Sequence, residues 1–301
     1  MEALVNKIDF ALVFTVHNAN PNGDPIDGNR PRTTYDGKGE VSDVCLKRKI
    51  RNRLIDAGCQ VFVQSDERRA PGDECRSLRD RADSVAALVD CTKQIKAKKA
   101  TREDYAKIAC ETWIDVRSFG QVFAFKDGKK DKENKNDDEG SSDAVSIGVR
   151  GPVSIQSAFS IAPVNVITSQ ITKSVNLETG ADPDKKGGDT MGSKHRVDFG
   201  VYVTYGSINT QLAQKTGFSH DDAEKIKEAM RSLFENDESA ARPAGSMEVV
   251  KLLWWEHNCP MGQYSSAKVH RTLKVECDES GNVSVSTDDL PGLTPEVIDG
   301  N

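Results

Sequence analysis

At 301 residues, 37% of them hydrophobic, the chain is long enough to bury a sizeable core, as one large domain with insertions or as two smaller ones. No apolar run approaches the ~18 residues of a membrane helix, and Met1 to Lys7 lacks the basic start and apolar core of a signal peptide. The seven cysteines are scattered without a Cys-x-x-Cys pair, which argues against a disulfide framework or zinc site, and the net charge of −6 argues at first against nucleic acid.

In chain order, residues 8–16 are rich in β-branched and aromatic types and read as a first, buried strand. A turn cluster follows from His17 to Pro25. Ser42 or Asp43 then caps a helix that runs to about Asp56 and is ended by Gly58, with Leu46, Ile50 and Leu54 as its core stripe. Residues 59–144 are helix-rich and charged and read as an insertion, finishing in a low-complexity run from Lys126 to Ser142 that suits a solvated loop. Strand character returns over 145–162. Residues 163–193 interleave apolar and basic types in a polar background and suit a projecting hairpin. A strand over His195 to Ile208, a helix over Asp221 to Phe234 capped by Ser219, and a strand over Glu248 to Glu256 complete the pattern. The fold class is therefore α+β, in the βαββαβ order of a ferredoxin-like or RRM-like sheet. Residues 1–58, 145–162 and 194–275 form that sheet and its helices. Residues 276–301, with seven acids and no Lys or Arg, make an acidic tail.

Without that tail, residues 1–275 carry +1, and the stretch from Arg30 to Arg53 carries a local +5. Lys47 and Arg51 lie four apart on one helical face, with Arg48 beside them, and Arg30, Arg32 and Lys38 precede them. Such a row at the positive end of a helix can follow a phosphate backbone; an ordinary solvated basic face is the competing reading. The loop Asn20-Pro21-Asn22-Gly23-Asp24-Pro25 is either a tight connection or a place where amides and Asn side chains meet a ligand. The five histidines, at 17, 195, 220, 257 and 270, show no metal spacing, and nucleophilic catalysis has no visible address. Trp254 and Trp255 fall on opposite faces of their strand, with core or interface packing for each more economical than stacking on a base.

Five ordered motifs add a resemblance: Asn20-x-Asn22-Gly23-Asp24-Pro25, Gly28-Asn29-x-Pro31-Arg32, Ser42-Asp43-x-x-Leu46-Lys47-Arg48-Lys49-Ile50-Arg51, Asp115-Val116-Arg117-Ser118-Phe119-Gly120 and Met191-Gly192-x-Lys194-His195. Over roughly residues 8–275 the chain resembles the repeated backbone subunit (Cas-seven family, RAMP superfamily) of the CRISPR surveillance complex Cascade, in particular type I-C. The resemblance implies an RRM-like palm, a helical fingers insertion over 59–144 and a hairpin thumb over 163–193. It implies a cytoplasmic, non-enzymatic protein without cofactor or metal, whose copies stack head to tail on a guide RNA and present it to target DNA. Other Cascade subunits, the guide 5′-end and large subunits, would be its neighbours, and no membrane is involved. Ser42, Lys47, Arg48 and Arg51 would grip the guide, with Asn20, Asn22, Arg30, Arg32, Arg117 and Lys173 as further contacts. Lys194, His195 and Arg196 would join them at the thumb base, and Val166, Val175 or Met191 would wedge a base aside. An RNA-cutting relative using Asp24, Asp36 or Asp43, a guide-processing endoribonuclease, and a polymer without nucleic acid are the rival readings.

Overall fold

A computed structural model describes residues 2–124, 146–172 and 191–301. The Lys126–Ser142 run, Lys173 and Val175 lie outside the described residues.

β1 (Ile8–Ala19) is buried on both faces for most of its length, as a strand in the middle of a covered sheet must be. The chain then makes a short ladder of β2 (Gly23–Asp24) with β3 (Arg30–Pro31), passes through β4 (Lys38–Val41) and enters α1 (Asp43–Asp56). Ser42 is the cap residue, its Oγ accepting from the Cys45 N–H at 3.4 Å. Leu46, Ile50 and Leu54 are buried, as their spacing requires.

The following block contains α2 (Leu78–Asp83), α3 (Ala86–Lys96), α4 (Arg102–Thr112), α5 (Ile114–Phe119) and β5 (Gly120–Ala124). β5 pairs antiparallel with β6 (Ser146–Arg150). These elements close over an apolar cluster of their own, where the Phe62 ring meets Trp113 at 4.6 Å and Phe123 at 5.1 Å. Residues 146–150, expected in the main sheet, belong here instead: Ile147 lies in this cluster and the main sheet begins again only at Val153.

β7 (Val153–Ile155), β8 (Ala158–Pro163) and β9 (Val166–Thr172) all pair with the long β10 (Met191–Ile208). After α6 (Thr210–Thr216) come α7 (His220–Arg231), β11 (Met247–Glu256), α8 (Ser266–His270), β12 (Leu273–Cys277), β13 (Val283–Thr287) and β14 (Glu296–Asp299). The main sheet runs β14-β11-β1-β10-β8-β4, with β7 and β9 also on β10, and each of its described pairings is antiparallel. Along the chain, β1, α1, β7 with β8, β10, α7 and β11 follow the expected strand–helix–strand–strand–helix–strand order. α1 and α7 cover one face, where Phe10, Leu12 and Phe14 of β1 meet Leu46, Ile50, Ile226 and Met230. Ala11 and Val13 face the other side, against Trp255, Val269 and Leu273.

Trp254 and Trp255 do split between the two faces, but both are buried, Trp254 stacked on Phe10 at 5.6 Å, so neither presents a ring to a ligand. The acidic segment is not an appended tail. β14 pairs with β11 as an edge strand of the main sheet, β13 pairs with β12, and Leu293 is buried in the cluster with Trp255, Val269 and Leu273. Alternation in Val283-Ser284-Val285 builds β13, β14 turns Ile298 inward while Val297 stays exposed, and the acids sit on the exposed sides and turns.

One polar cluster interrupts the apolar interior. Asp9 is fully buried on β1, with Lys7 Nζ at 3.0 Å and His257 Nε2 at 2.9 Å. The Gln263 N–H donates to His257 Nδ1 at 3.0 Å, so the ring keeps its proton on Nε2 and donates it to Asp9. Burial alone would raise the Asp9 carboxyl, but the bonds from His257, Ser266 and Lys7 hold it below its ordinary value. His257 is thus a structural tie between the loop after β11 and the central strand. Among the described residues no helix is long and apolar enough to cross a membrane.

Gly206 on β10 pairs with Phe10, and a Cβ there would lie 2.1 Å from Phe10 Cζ and 2.4 Å from the Ser154 carbonyl oxygen. Gly206→Ala is expected to destabilise the chain by about 1–3 kcal/mol through overpacking. A urea midpoint equal to wild type would show that the sheet yields there.

Candidate nucleic-acid interface

The loop after β1 is built by its own side chains. Asn20 is buried, and its Nδ2 donates to the Asn29 carbonyl at 2.6 Å. Asn22 Oδ1 accepts from both the N–H and the hydroxyl of Ser42, at 2.9 and 2.8 Å. Asp24 Oδ1 accepts from the Ile26 N–H at 3.1 Å and from Arg32 Nη2 at 3.3 Å. Gly23 is required by contact rather than by φ, since a Cβ there would stand 2.8 Å from the Asn29 carbonyl oxygen. Turn chemistry therefore accounts for Asn20 and for the acceptor of Asn22, and these groups fix the loop against the start of α1.

The other end of the loop meets the β9–β10 hairpin. Arg30 Nη1 donates to Thr168 Oγ1 at 3.3 Å, and that oxygen lies 2.9 Å from His195 Nδ1. His195 stands opposite Thr168 in the ladder, so the two side chains share a face, while Lys194 and Arg196 alternate to the other face. Lys194 is exposed; Arg196 is half-buried, and its Nε is buried without a hydrogen bond. Met191 is 67% exposed further out on β10, whereas Val166 is half-buried at the hairpin root. Thr168 went unnoticed in the sequence. Strand alternation would have placed it on the His195 face only once the ladder register was known.

The basic row on α1 does not act as one face. Lys47 bonds Asp43 at 2.9 Å one turn back, and Arg48, 41% exposed, reaches Asn52 at 3.3 Å and Glu67 at 3.7 Å. Arg51 turns inward: only 12% exposed, it meets the buried Asp115 at 2.8 Å and lies 5.0 Å over the Phe119 ring. Asp115 also accepts from the N–H groups of Phe62 and Val63, at 2.7 and 3.1 Å. Arg117 likewise points into the protein and forks onto Asp222 with bonds of 2.9 and 2.7 Å. Arg51 and Arg117, both expected at a ligand, are thus engaged inside the protein: each joins the 59–124 block to a helix of the main sheet, α1 in one case and α7 in the other. Lys49, counted in the local charge, is buried against Asp237.

What remains at the surface is a polar strip. Arg30, Thr168 and His195 are linked by hydrogen bonds, Arg32 sits beside Asp24, and Asn22 carries the connection to Ser42, after which Lys47 and Arg48 follow on α1. Lys194 projects from the reverse side of the hairpin. Such a strip offers donors and positive charge to phosphates. Among the described residues no group of three or more His, Cys, Asp or Glu side chains could hold a metal ion.

Known proteins resemble this chain in structure and in sequence. A chain of a "CRISPR RNA-guided surveillance complex, pre-nicking" is similar at 13% identity, covering 83% of this chain and 78% of that one, with a TM-score of 0.45. A chain of a "CRISPR RNA-guided surveillance complex" is similar at 15% identity over 83% of this chain and 68% of that one, with a TM-score of 0.39. The CRISPR-associated protein Cas7 of Haloferax volcanii is 28% identical over 227 residues, which is 74% of this chain but 62% of that relative's length. Residues 6–291 match the family described as CRISPR-associated protein Cas7, and the chain belongs to that family.

Proposed function

We propose that this chain is the repeated backbone subunit of a type I-C CRISPR RNA-guided surveillance complex, and that it holds the guide RNA without cutting it. Its βαββαβ sheet serves as an RRM-like palm, residues 59–144 as fingers and the 163–193 hairpin as thumb. Copies stack head to tail on the guide in the cytoplasm, next to the subunits that take the guide 5′ end and the large subunit. A head-to-tail contact that does not close gives an open helix, which suits a linear RNA. The phosphates are gripped and the base edges left free for target DNA, so sequence is read by the RNA rather than by the protein. Met191, the exposed one of the described wedge candidates, displaces a base from the stack.

The observation that carries this reading is the bonded run Arg30–Thr168–His195, joined through the Asn22–Ser42 contact to Lys47 and Arg48. It sets Arg30 on β3 and Lys47 and Arg48 on α1 in one run, with the polar Thr168 and His195 of the hairpin beside Arg30. Asp24, Asp36 and Asp43, the carboxylates a metal-aided cleavage could recruit, are engaged with Arg32, Thr34 and Lys47 respectively. Arg51 is left out of the test set because its removal would act through folding.

The triple variant Arg30→Ala, Arg48→Ala, Lys194→Ala tests the proposal on two single-stranded RNAs of unrelated sequence. Affinity should fall alike for both. The slope of log K against log salt should flatten by roughly 0.7 for each phosphate that is no longer neutralised, about 2 in total. Both RNAs should stay intact with Mg²⁺. A weakening confined to one sequence, or cuts at regular spacing, would refute it.

A further inference from the structure

Between Arg32 and Lys38 the chain reverses, and Tyr35 stands at the apex with its whole side chain in solvent, at 105% relative exposure. Among the described residues only Phe159, at 43%, is another exposed aromatic; the remaining Phe, Tyr and Trp side chains are buried or half-buried. A free ring on a loose loop would mean little, but this turn is not loose. The Thr34 N–H donates to the Lys38 carbonyl at 2.8 Å, the Gly37 N–H to the Thr34 carbonyl at 3.0 Å, and the Lys38 N–H to Thr34 Oγ1 at 3.1 Å. Thr34 Oγ1 also bonds Asp36, which draws that carboxylate onto the turn. Gly37 takes φ +82, and its carbonyl accepts from the Val164 N–H at 3.0 Å, which pins the turn to the root of the β9–β10 hairpin.

The same stretch of chain carries Arg30 and Arg32 before the ring and Lys38 after it. A rigid aromatic gives up little entropy on binding, and an exposed one gains nothing from folding. An exposed ring within a few residues of cations is what a single-stranded nucleic acid needs, since every base has a π face and every nucleotide a phosphate. We infer that Tyr35 is a stacking platform for one base of a bound single-stranded RNA, set beside the phosphate contacts of Arg30 and Lys38. The inference rests on the RNA-binding reading above and adds to it a contact that is not electrostatic.

The test uses the full chain with a single-stranded RNA carrying 2-aminopurine, comparing wild type, Tyr35→Phe and Tyr35→Ala. Tyr35→Ala should bind about 5- to 100-fold more weakly, the effect of unstacking one base. Its salt slope should equal that of wild type because no phosphate contact is removed. Tyr35→Phe should keep the affinity, and the fluorescence quenching that stacking causes should appear with wild type and Tyr35→Phe only. An equal urea midpoint for all three establishes that the variants fold. Wild-type affinity in Tyr35→Ala overturns this inference alone, as does a defect limited to association between copies. A wild-type chain that binds no RNA removes both this inference and the function it rests on.

Discussion

Asp222→Ala is expected to cost about 3–5 kcal/mol of folding stability, because it leaves the Arg117 guanidinium buried without a counter-charge. Asp222 is itself fully buried and has two duties. It accepts the fork of Arg117 from α5, and it closes the capping box of α7 by accepting the Ser219 N–H at 3.0 Å. The substitution therefore loosens the first turn of a helix at the same time as it strands a cation. Burial would by itself raise the Asp222 carboxyl, but the Arg117 and Ser219 bonds outweigh it and hold the group below the ordinary Asp value of 3.8. A carboxyl depressed on folding contributes stability above its unfolded pKa and loses it as pH falls through the folded one. The difference in urea midpoint between wild type and Asp222→Ala should accordingly be large at pH 7 and shrink below about pH 4. Equal midpoints at neutral pH would mean that the pair contributes nothing to joining the 59–124 block to α7.

Where periodicity and a cap acted together, the fold could be read directly. Ser42 with Leu46, Ile50 and Leu54 marks α1, and Ser219 with Ala223, Ile226 and Met230 marks α7; both helices bury those residues. The hairpin was visible as a polar stretch before a strand, and its described part is the β9–β10 ladder. The last strands were hidden because seven acids dominate the composition from Glu276 onward, although Val283 and Val285 alternate inward and Leu293 and Ile298 also turn to the interior. The partition of the basic residues was hidden for a different reason. Arg51 and Arg117 have the same composition and local spacing as surface cations, and what turns them inward are carboxylates 64 and 105 residues away in the chain. A motif such as Asp115-Val116-Arg117 can therefore be identified from sequence without its intramolecular partners, because those are set by the tertiary fold. Lys49 makes the same point, since only the fold brings Asp237 to it.

Arg51 and Arg48 should separate folding from binding. Arg51→Ala removes the cation from a carboxylate that is fully buried on Asp115, and Asp115 would keep only its two backbone N–H donors. The Phe119 ring would also be stripped of the guanidinium that lies over it at 5.0 Å. Breaking a buried pair from one side costs about 3–5 kcal/mol, a large share of the roughly 5–15 kcal/mol that holds a domain together. Arg51→Ala should therefore lower the urea midpoint sharply. Any weakening of its RNA binding should follow the folded fraction, with the salt slope of the folded population unchanged. Arg48→Ala removes a side chain 41% exposed, whose nearest carboxylate, Glu67, is at 3.7 Å. Its stability should stay within about 0.5 kcal/mol of wild type, while its RNA affinity falls and its salt slope flattens by roughly 0.7. The opposite pattern, a stable Arg51→Ala with weakened RNA binding beside an indifferent Arg48→Ala, would return Arg51 to the phosphate backbone and leave Asp115 holding the insertion through its backbone bonds alone.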